Sequence, residues 1–403
     1  MSDVYDLLVI GGGPAGLSAA IYGSRSKLDT LVLEADSTGG QLGDYEEMEN
    51  YPGFVDISAP ELADNFKEHA SKFGAEVKEG KAVDLKLDDF IKEVKTKDGE
   101  TYRAKSIVIA TGAKPRRLGV PGEDEFKGRG VSYCATCDAD FYVDLDVVVV
   151  GNGNSAVEEA LYLTNFARKV TIIVIHEEGK MDAEKLFQER AYDNDKIEFE
   201  WNSTLARIEG DQIVDKAVLK NVKTGEERDF DCDGIFIFVG REPSTDFLED
   251  TPVELDDSGY IKTDEKMQTN IQGVYAAGDV RQKPVRQVVT AAGDGATAAV
   301  KGQSYLEAEE HWRENVLDTD KQVVVAFWNP THDESLEALQ YLEELGVEKD
   351  DNKKLVKIDT YRNDLITDRY NVQEIPTVIT IEAGEEKDRL VKPEKNELEQ
   401  ILS

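Results

Sequence analysis

Cys134-Ala135-Thr136-Cys137-Asp138 sets two thiols three residues apart with an acid beside them. Two sulfurs at that spacing, in a turn entering a helix, can close a disulfide and reopen it by exchange. The acid can take or return the proton that a thiolate needs. Shortly after comes the glycine turn Gly151-Asn152-Gly153-Asn154-Ser155-Ala156, preceded by the apolar run Val147-Val148-Val149-Val150. A glycine-rich turn after a buried strand is a place to hold a dinucleotide. Together the two features point to electrons passing between a bound cofactor and a disulfide. Zinc is the competing use of paired cysteines, but it needs four ligands. Only Cys232 and four scattered histidines remain, with no second pair, so no metal site is expected. Cys232, just before the apolar stretch Gly234 to Val239, reads as a packed core thiol.

The elements that must carry this chemistry are βαβ units. Tyr5 to Ile10 is a short apolar strand of the kind buried in a parallel sheet. It runs into Gly11-Gly12-Gly13-Pro14-Ala15-Gly16, a helical stretch from Leu17 to Ser24, and a second strand, Thr30 to Leu33, ending at Glu34. The glycines allow the tight turn and the close approach of backbone to a pyrophosphate, and the helix N-terminus favours its negative charge. Glu34 can accept from ribose hydroxyls. The pattern then recurs: the strand Val147 to Val150, the turn Gly151-x-Gly153-x-x-Ala156, a helix through Leu163, and a strand from Val170 to Ile175. Two such units imply two dinucleotides, most economically a flavin and a nicotinamide; the alternative is a duplication with one dead site.

Length and charge narrow the class. The chain has 403 residues, enough for two or three domains, and 40% of them are hydrophobic, as in a globular protein. No run of about 18 apolar residues is present, and the N-terminus enters a strand without a basic leader. A cytosolic setting is expected, with three cysteines too few for a disulfide framework. The net charge of −36 disfavours nucleic acid and anionic membranes as partners. The acids are spread along the chain, which suggests a host with high internal salt, where screening relaxes self-repulsion; the alternative is an ordinary acidic cytosolic protein.

Further short motifs lie between and after the two units: Gly39-Gly40-Gln41-Leu42, Glu49-Asn50-Tyr51-Pro52-Gly53 and Ile109-Ala110-Thr111-Gly112-Ala113. Beyond the dithiol come Val239-Gly240-Arg241-Glu242-Pro243, Ala276-Ala277-Gly278-Asp279-Val280, Arg286-Gln287 and Ala291-Ala292-Gly293-x-Gly295. In order and spacing, residues 1 to 305 resemble the low-molecular-weight thioredoxin reductases. The resemblance implies an α/β fold with two Rossmann-like, three-layer ββα domains. A FAD domain, residues 1–114 and 246–305, would be split by a nicotinamide-type domain, 115–245, that carries the dithiol. It implies that Gly11, Gly13, Pro14, Ala15, Gly16, Glu34, Gly40, Gln41, Leu42, Asn50, Val83, Ala110, Thr111, Gly112, Gly278, Asp279, Arg286 and Gln287 line the flavin. Arg286 and Gln287 would supply donors near the ring system. Gly151, Gly153, Asn154, Ser155, Ala156, Gly240 and Arg241 would serve the nicotinamide coenzyme. Cys137 would face the flavin, Cys134 would attack a partner's disulfide, and Asp138 would shuttle the proton. The family also implies a homodimer whose two domains swing between two arrangements.

Two departures from that family pattern stand out. NADPH-using members carry His-Arg-Arg and a further arginine after the second strand; here the stretch reads His176-Glu177-Glu178-Gly179-Lys180-Met181-Asp182. All three arginine positions are acidic. A phosphate dianion facing them would be repelled, and Lys180 is a weak substitute for a bidentate fork. Glu177 lies about 20 residues past the glycine turn, where an acid accepts from the ribose 2′-hydroxyl of NADH. NADH is therefore expected over NADPH, with reduced ferredoxin or another donor as the alternative.

The second departure is the C-terminus. After a polar helical connector, 306–320, the pattern restarts at Val323-Val324-Val325-Ala326-Phe327-Trp328. A helix from Ser335 to Leu345, a strand from Leu355 to Ile358, a short helix and Ile375-Pro376-Thr377 follow. Residues 321–403 resemble a thioredoxin domain, including the Ile-Pro-Thr that carries a cis proline in that fold. Where Trp-Cys-Gly-Pro-Cys would stand, the chain reads Thr331-His332-Asp333-Glu334-Ser335, and Ala326 replaces the buried aspartate. Both thiols are gone, so this tail is expected to dock a partner or cap a dimer rather than exchange disulfides. His332 near Ser335 reads as a solvated surface histidine. The expected function is a FAD-dependent disulfide reductase serving a separate thioredoxin- or glutaredoxin-like protein. The rival is a regulatory flavoprotein whose dithiol is a sensor and whose tail binds a partner.

Overall fold

The computed structural model describes residues 4–45 and 47–402. It divides into two compact units, Met1–Ala299 and Val300–Ser403. Among the described residues no helix is long and apolar enough to cross a membrane.

The first unit contains two lobes. In the first lobe the strands run in the order Glu76–Glu79, Thr30–Glu34, Val4–Ile10, Thr101–Ile109, Lys92–Thr96, Ala82–Lys86, with Val274–Ala276 also beside Thr101–Ile109. Val4–Ile10 lies parallel to both neighbours, with Val9 opposite Val32 on one side and Val108 on the other. Such a strand is covered on both faces, which is why it reads as unbroken apolar sequence rather than as an alternation. Leu7 and Val9 pack into the cluster containing helix Pro14–Arg25, and Leu8 and Ile10 into the opposite one. Pro14 sits in the first turn of that helix, where its missing N–H costs nothing.

The second lobe repeats the scheme with a parallel sheet ordered Val131–Ser132, Gly234–Ile237, Asp146–Val150, Lys169–Val174, Ile197–Trp201. An antiparallel sheet of Ser203–Gly210, Val214–Asn221 and Glu227–Asp231 completes its three layers. The chain passes from the first lobe to the second and back through a two-stranded ribbon, Ala113–Pro115 antiparallel to Arg241–Pro243. The expected α/β plan of two dinucleotide-type lobes, one interrupting the other, is the plan observed.

The second unit has a sheet ordered Lys353–Asp359, Gln322–Trp328, Thr377–Glu382, Glu385–Val391. Its central strand Gln322–Trp328 alternates Val323, Val325 and Phe327 into one core with Val324 and Ala326 into another. Helices Asp333–Glu344 and Lys395–Leu402 supply Leu339, Leu342, Leu398 and Leu402 to the second of these. Residues 306–320, read from sequence as a polar helical connector, are helical as far as 317. Helix Val288–Trp312 ends in this unit, and Trp312 and Val316 are buried in its core with Phe327, Ile358 and Ile379. Glu309 is also buried and is ion-paired with Arg313 and Arg369. A stretch whose sequence is mostly polar thus donates apolar side chains to the core of this unit.

Candidate functional site

Cys134 and Cys137 form a disulfide with their Cα atoms 5.4 Å apart. The geometry comes from the short helix Ala135–Asp138, with Cys134 at its N-cap, where the Cys137 N–H donates to Cys134 Sγ at 3.2 Å. Ala135 and Ala139 are fully buried and anchor the turn, while Cys134 and Asp138 are half-buried and Cys137 is exposed. Ser132 braces the entry: its hydroxyl donates to the Cys134 carbonyl and accepts from the Cys134 N–H, both at 3.1 Å. Just upstream, Tyr133 donates to the buried Glu123 at 2.5 Å, and Glu123 also accepts from the N–H groups of Leu118, Gly119 and Val120. Phe141 and Val143, shortly downstream, are exposed. Cys232 is buried in the core, and burial pushes its thiol up to about 12, so it takes no part in exchange.

The first glycine turn is built for close backbone approach. Gly11 adopts φ +107°, and a Cβ on Gly16 would lie 1.8 Å from the Gly11 carbonyl oxygen. Glu34, at the end of Thr30–Glu34, accepts from the N–H of Gly12 and from that of Asp36. Gly13 faces Gly40 across the turn, and Gly278 abuts Ala15. Leu42 and Ala110 are buried beside them. Gln41 Nε2 donates to the Ala113 carbonyl at 3.3 Å and to Asp279 Oδ2 at 3.5 Å, next to Gly112. Thr111 donates to the Ser244 carbonyl at 2.8 Å, and Asn50 donates to Gln287 Oε1 at 3.2 Å. Arg286 lies over the Tyr260 ring, 4.1 Å from its centroid. Val83 is exposed on the outermost strand, Ala82–Lys86.

Asp279 tests whether this cleft fits a flavin dinucleotide. Its Oδ1 is buried with no hydrogen-bond partner among the described residues. Burial pushes its carboxyl up, with Lys283, Arg286 and Arg241 pulling the other way. A buried acceptor without a donor asks for a ligand hydroxyl. Bare glycines for a pyrophosphate and Glu34 for a ribose complete the match. The residues present fit FAD.

At the second turn Gly151 takes φ +132°, and a Cβ there would meet the Phe238 carbonyl oxygen at 2.1 Å. Gly153 caps helix Asn154–Leu163, and Ala156 is buried beneath it. Asn154 exchanges two hydrogen bonds with Glu184, at 2.9 and 2.7 Å. The Ser155 side chain lies beside that of Tyr45 in the first lobe. Gly240 adopts φ +101°, and Arg241 reaches the Ala113 carbonyl at 3.4 Å. Beyond Lys169–Val174 the loop presents Glu177, Glu178, Lys180 and Asp182 as exposed side chains. Glu177 pairs with Lys223 at 3.5 Å, and Asp182 lies 3.1 Å from His176 Nε2.

Three contacts had no signature in the sequence. Tyr45 falls between motifs. Arg190 and Glu49, 141 positions apart, form an ion pair between the lobes. Asp294 is the variable residue of Gly293-x-Gly295, yet its Oδ2 accepts from the Gly278 N–H at 3.1 Å, Lys283 at 2.8 Å and Arg281 at 3.3 Å. It thereby fixes the loop that carries Asp279. In the second unit His332 Nδ1 lies 3.4 Å from Ser335 Oγ, Ser335 is buried, and the Ile375–Pro376 bond is cis.

Comparison with known proteins agrees with this geometry. Residues 5–295 match the family model described as pyridine nucleotide-disulphide oxidoreductase, and residues 303–403 match the thioredoxin model. A thioredoxin reductase of Peptoclostridium acidaminophilum is 50% identical over 315 residues, covering 76% of this chain and 99% of the relative. The thioredoxin reductase of Bacillus subtilis (strain 168) is 46% identical, covering 75% and 95%. The crystal structure of Lactococcus lactis thioredoxin reductase in its FR conformation overlays with a TM-score of 0.73 at 45% identity, covering 75% of this chain and 99% of that one. The chain belongs to the pyridine nucleotide-disulphide oxidoreductases, among the FAD-dependent thioredoxin reductases, and carries a thioredoxin-like domain at its C-terminus.

Proposed function

We propose that the chain, as a homodimer, carries electron pairs from NADH through bound FAD and the Cys134–Cys137 pair to the disulfide of a thioredoxin- or glutaredoxin-like protein. The observation that carries this reading is the half-exposed Cys134–Cys137 disulfide, held in the same lobe as an intact second glycine turn. Bound FAD would supply the two-electron relay between the dihydronicotinamide and that disulfide. Gly11 to Gly16, Glu34, Gln41, Asn50, Thr111, Asp279, Arg286 and Gln287 would hold it, and Gly151 to Ala156 with Gly240 and Arg241 would hold the coenzyme.

The steps at sulfur follow from exchange chemistry. With the pair reduced, the Cys134 thiolate attacks the partner's disulfide, forming a mixed disulfide and expelling one partner thiolate. Cys137 then attacks Cys134 Sγ, expelling the second partner thiolate and restoring the Cys134–Cys137 bond. Asp138, next in sequence to Cys137, takes and returns the protons. The preference for NADH rests on Glu177, Glu178 and Asp182, whose charge opposes a 2′-phosphate, and on Glu177 as an acceptor for a 2′-hydroxyl. The second unit lacks both thiols and serves as a docking module. Anaerobic addition of NADH, NADPH or reduced ferredoxin tests the donor by bleaching of the flavin band. Rapid bleaching by NADH is expected, and none by NADH would remove this choice.

A further inference from the structure

Covalently, the two lobes of the first unit share only the ribbon of Ala113–Pro115 and Arg241–Pro243, so side chains must fix their relative position. Arg190, on helix Lys185–Tyr192 of the second lobe, places Nη1 and Nη2 each 3.2 Å from Glu49 Oε2 of the first. Ser155 of the second glycine turn lies beside Tyr45 of the first lobe. These contacts border one cavity of about 290 Å³, whose lining includes Tyr45, Glu49, Glu158, Arg190 and Thr136 of the dithiol helix. Glu158, on helix Asn154–Leu163, faces Glu49 from the first lobe and Arg190 and Glu184 from helix Lys185–Tyr192 and its N-cap. Glu47, Glu159 and Tyr162 line the same space.

We propose that Arg190 and Glu49 form a latch between the lobes, holding the second glycine turn against Tyr45 with the dithiol helix at the cavity edge, and that ionisation of Glu158 loosens it. Burial first, then the charge of Glu49, push the Glu158 carboxyl up to about 7 against the pull of Arg190. With the lobes apart, that carboxyl would be rehydrated and would leave Glu49 behind, so its affinity for a proton would fall. The latched arrangement therefore binds the proton more tightly. It is favoured most below the ordinary carboxylate value, near 4.3, and loses ground progressively as the pH rises from there to about 7. The ion pair itself is about half exposed, so it biases the equilibrium modestly rather than locking it. The latch rests on the two-lobe geometry; only its catalytic consequence, alternating access of the dithiol and the coenzyme turn, rests on the reductase reading.

The test uses full-length, flavin-loaded protein with fluorescent unnatural residues at Glu68 and Lys220, one exposed position in each lobe. Arg190→Glu and Glu49→Arg, singly, are expected to shift the ratio of separated to latched lobes by about two- to fivefold, and the double reversal to restore it. Raising the pH from about 6 to 8 is expected to move the wild type the same way and to leave Glu158→Gln unmoved. Unchanged distances in the single variants, or a double variant as separated as the singles, overturn the latch. A wild type insensitive to pH overturns the role of Glu158. Reduction of a thioredoxin disulfide is assayed alongside. Distances that respond without any turnover leave the latch and remove the reductase reading, whereas full turnover with unresponsive distances removes the latch alone.

Discussion

Asp182 and Asn152 are joined twice: the Asn152 amide donates to Asp182 Oδ2 at 3.2 Å, and the Asp182 N–H donates to the Asn152 carbonyl at 3.1 Å. The acid standing where a phosphate-gripping arginine would be expected is thus also a strut for the second glycine turn. Glu177 and Glu178 carry no such duty to the turn and stand exposed. Reversing those two charges while keeping Asp182 should therefore change coenzyme choice without unbuilding the site. For Glu177→Arg/Glu178→Arg, kcat/KM with NADPH should rise by about tenfold or more while that with NADH falls, as expected when repulsion gives way to a guanidinium fork. Unchanged ratios would show that these side chains do not face the ribose.

The dithiol makes a sharper separation of roles. Cys137 is the more exposed residue in this arrangement, although Cys134 is assigned the attack on the partner. Cys137→Ser should let Cys134 trap a partner as a stable mixed disulfide, and Cys134→Ser should trap none; the reverse outcome would exchange the two roles. In both variants the flavin should still bleach with the donor, while turnover on a protein disulfide is lost. Asp138→Asn should leave the disulfide intact and lower kcat by about 10²- to 10⁴-fold, the range of a lost general acid. Alkylation at pH 8 should label two sulfurs in the reduced native protein and a third only after unfolding, because burial holds the Cys232 thiol near 12.

Much of this molecule could be read from the sequence because its information is local. The strands around Val9 and Val148 are buried on both faces and appear as continuous apolar runs, and the turns after them need glycine wherever a Cβ would strike a carbonyl. The dithiol is likewise compact, with its cap, sulfurs and acid inside five residues. What stayed hidden depends on distant pairings. Nothing near Glu49 announces Arg190, and nothing in a variable motif position announces that Asp294 collects Gly278, Arg281 and Lys283. The packing of the connector was hidden for a related reason. Many of its charged residues face outward or pair with partners, as Glu309 does with Arg369, and the apolar signal is carried by a few dispersed residues, Leu306, Trp312, Val316 and Leu317.

Glu123 links stability to the approach of the dithiol. Burial alone would raise its carboxyl, but the Tyr133 hydroxyl and the N–H groups of Leu118, Gly119 and Val120 outweigh that and hold it below the ordinary range. A depressed carboxyl stabilises the folded state above its unfolded value, near 4.3, and that advantage fades as the pH falls toward the lower folded value. Glu123→Ala leaves four donors without their acceptor and should cost about 3 kcal/mol at pH 7. The deficit should shrink when urea melts are repeated near pH 4. A deficit that is equal at both values would mean the charge on Glu123 contributes nothing.

Truncation distinguishes a domain boundary from a composition boundary. A chain ending after Asp320 keeps Trp312 and Val316 but removes Val323, Phe327, Ile358 and Ile379, against which they are buried. A tryptophan alone buries about 150–250 Å², so baring it on a helix end makes an adhesive patch. A chain ending after Ala299 carries no such residue and retains Ala298 and Ala299, which belong to the core of the first unit. The shorter chain should therefore be the better behaved, with low binding of a hydrophobic dye where the 320-residue chain binds it strongly and associates. Activity then tests the tail. If the second unit docks the partner, the shorter chain should keep its rate with a small disulfide such as dithiobis-nitrobenzoate. It should lose about tenfold in kcat/KM with a thioredoxin, the equivalent of about 1.4 kcal/mol of binding. Equal kcat/KM for both chains on the thioredoxin would exclude a docking role and leave the tail's half-buried Glu309–Arg369 pair and intact core to be explained by some other duty.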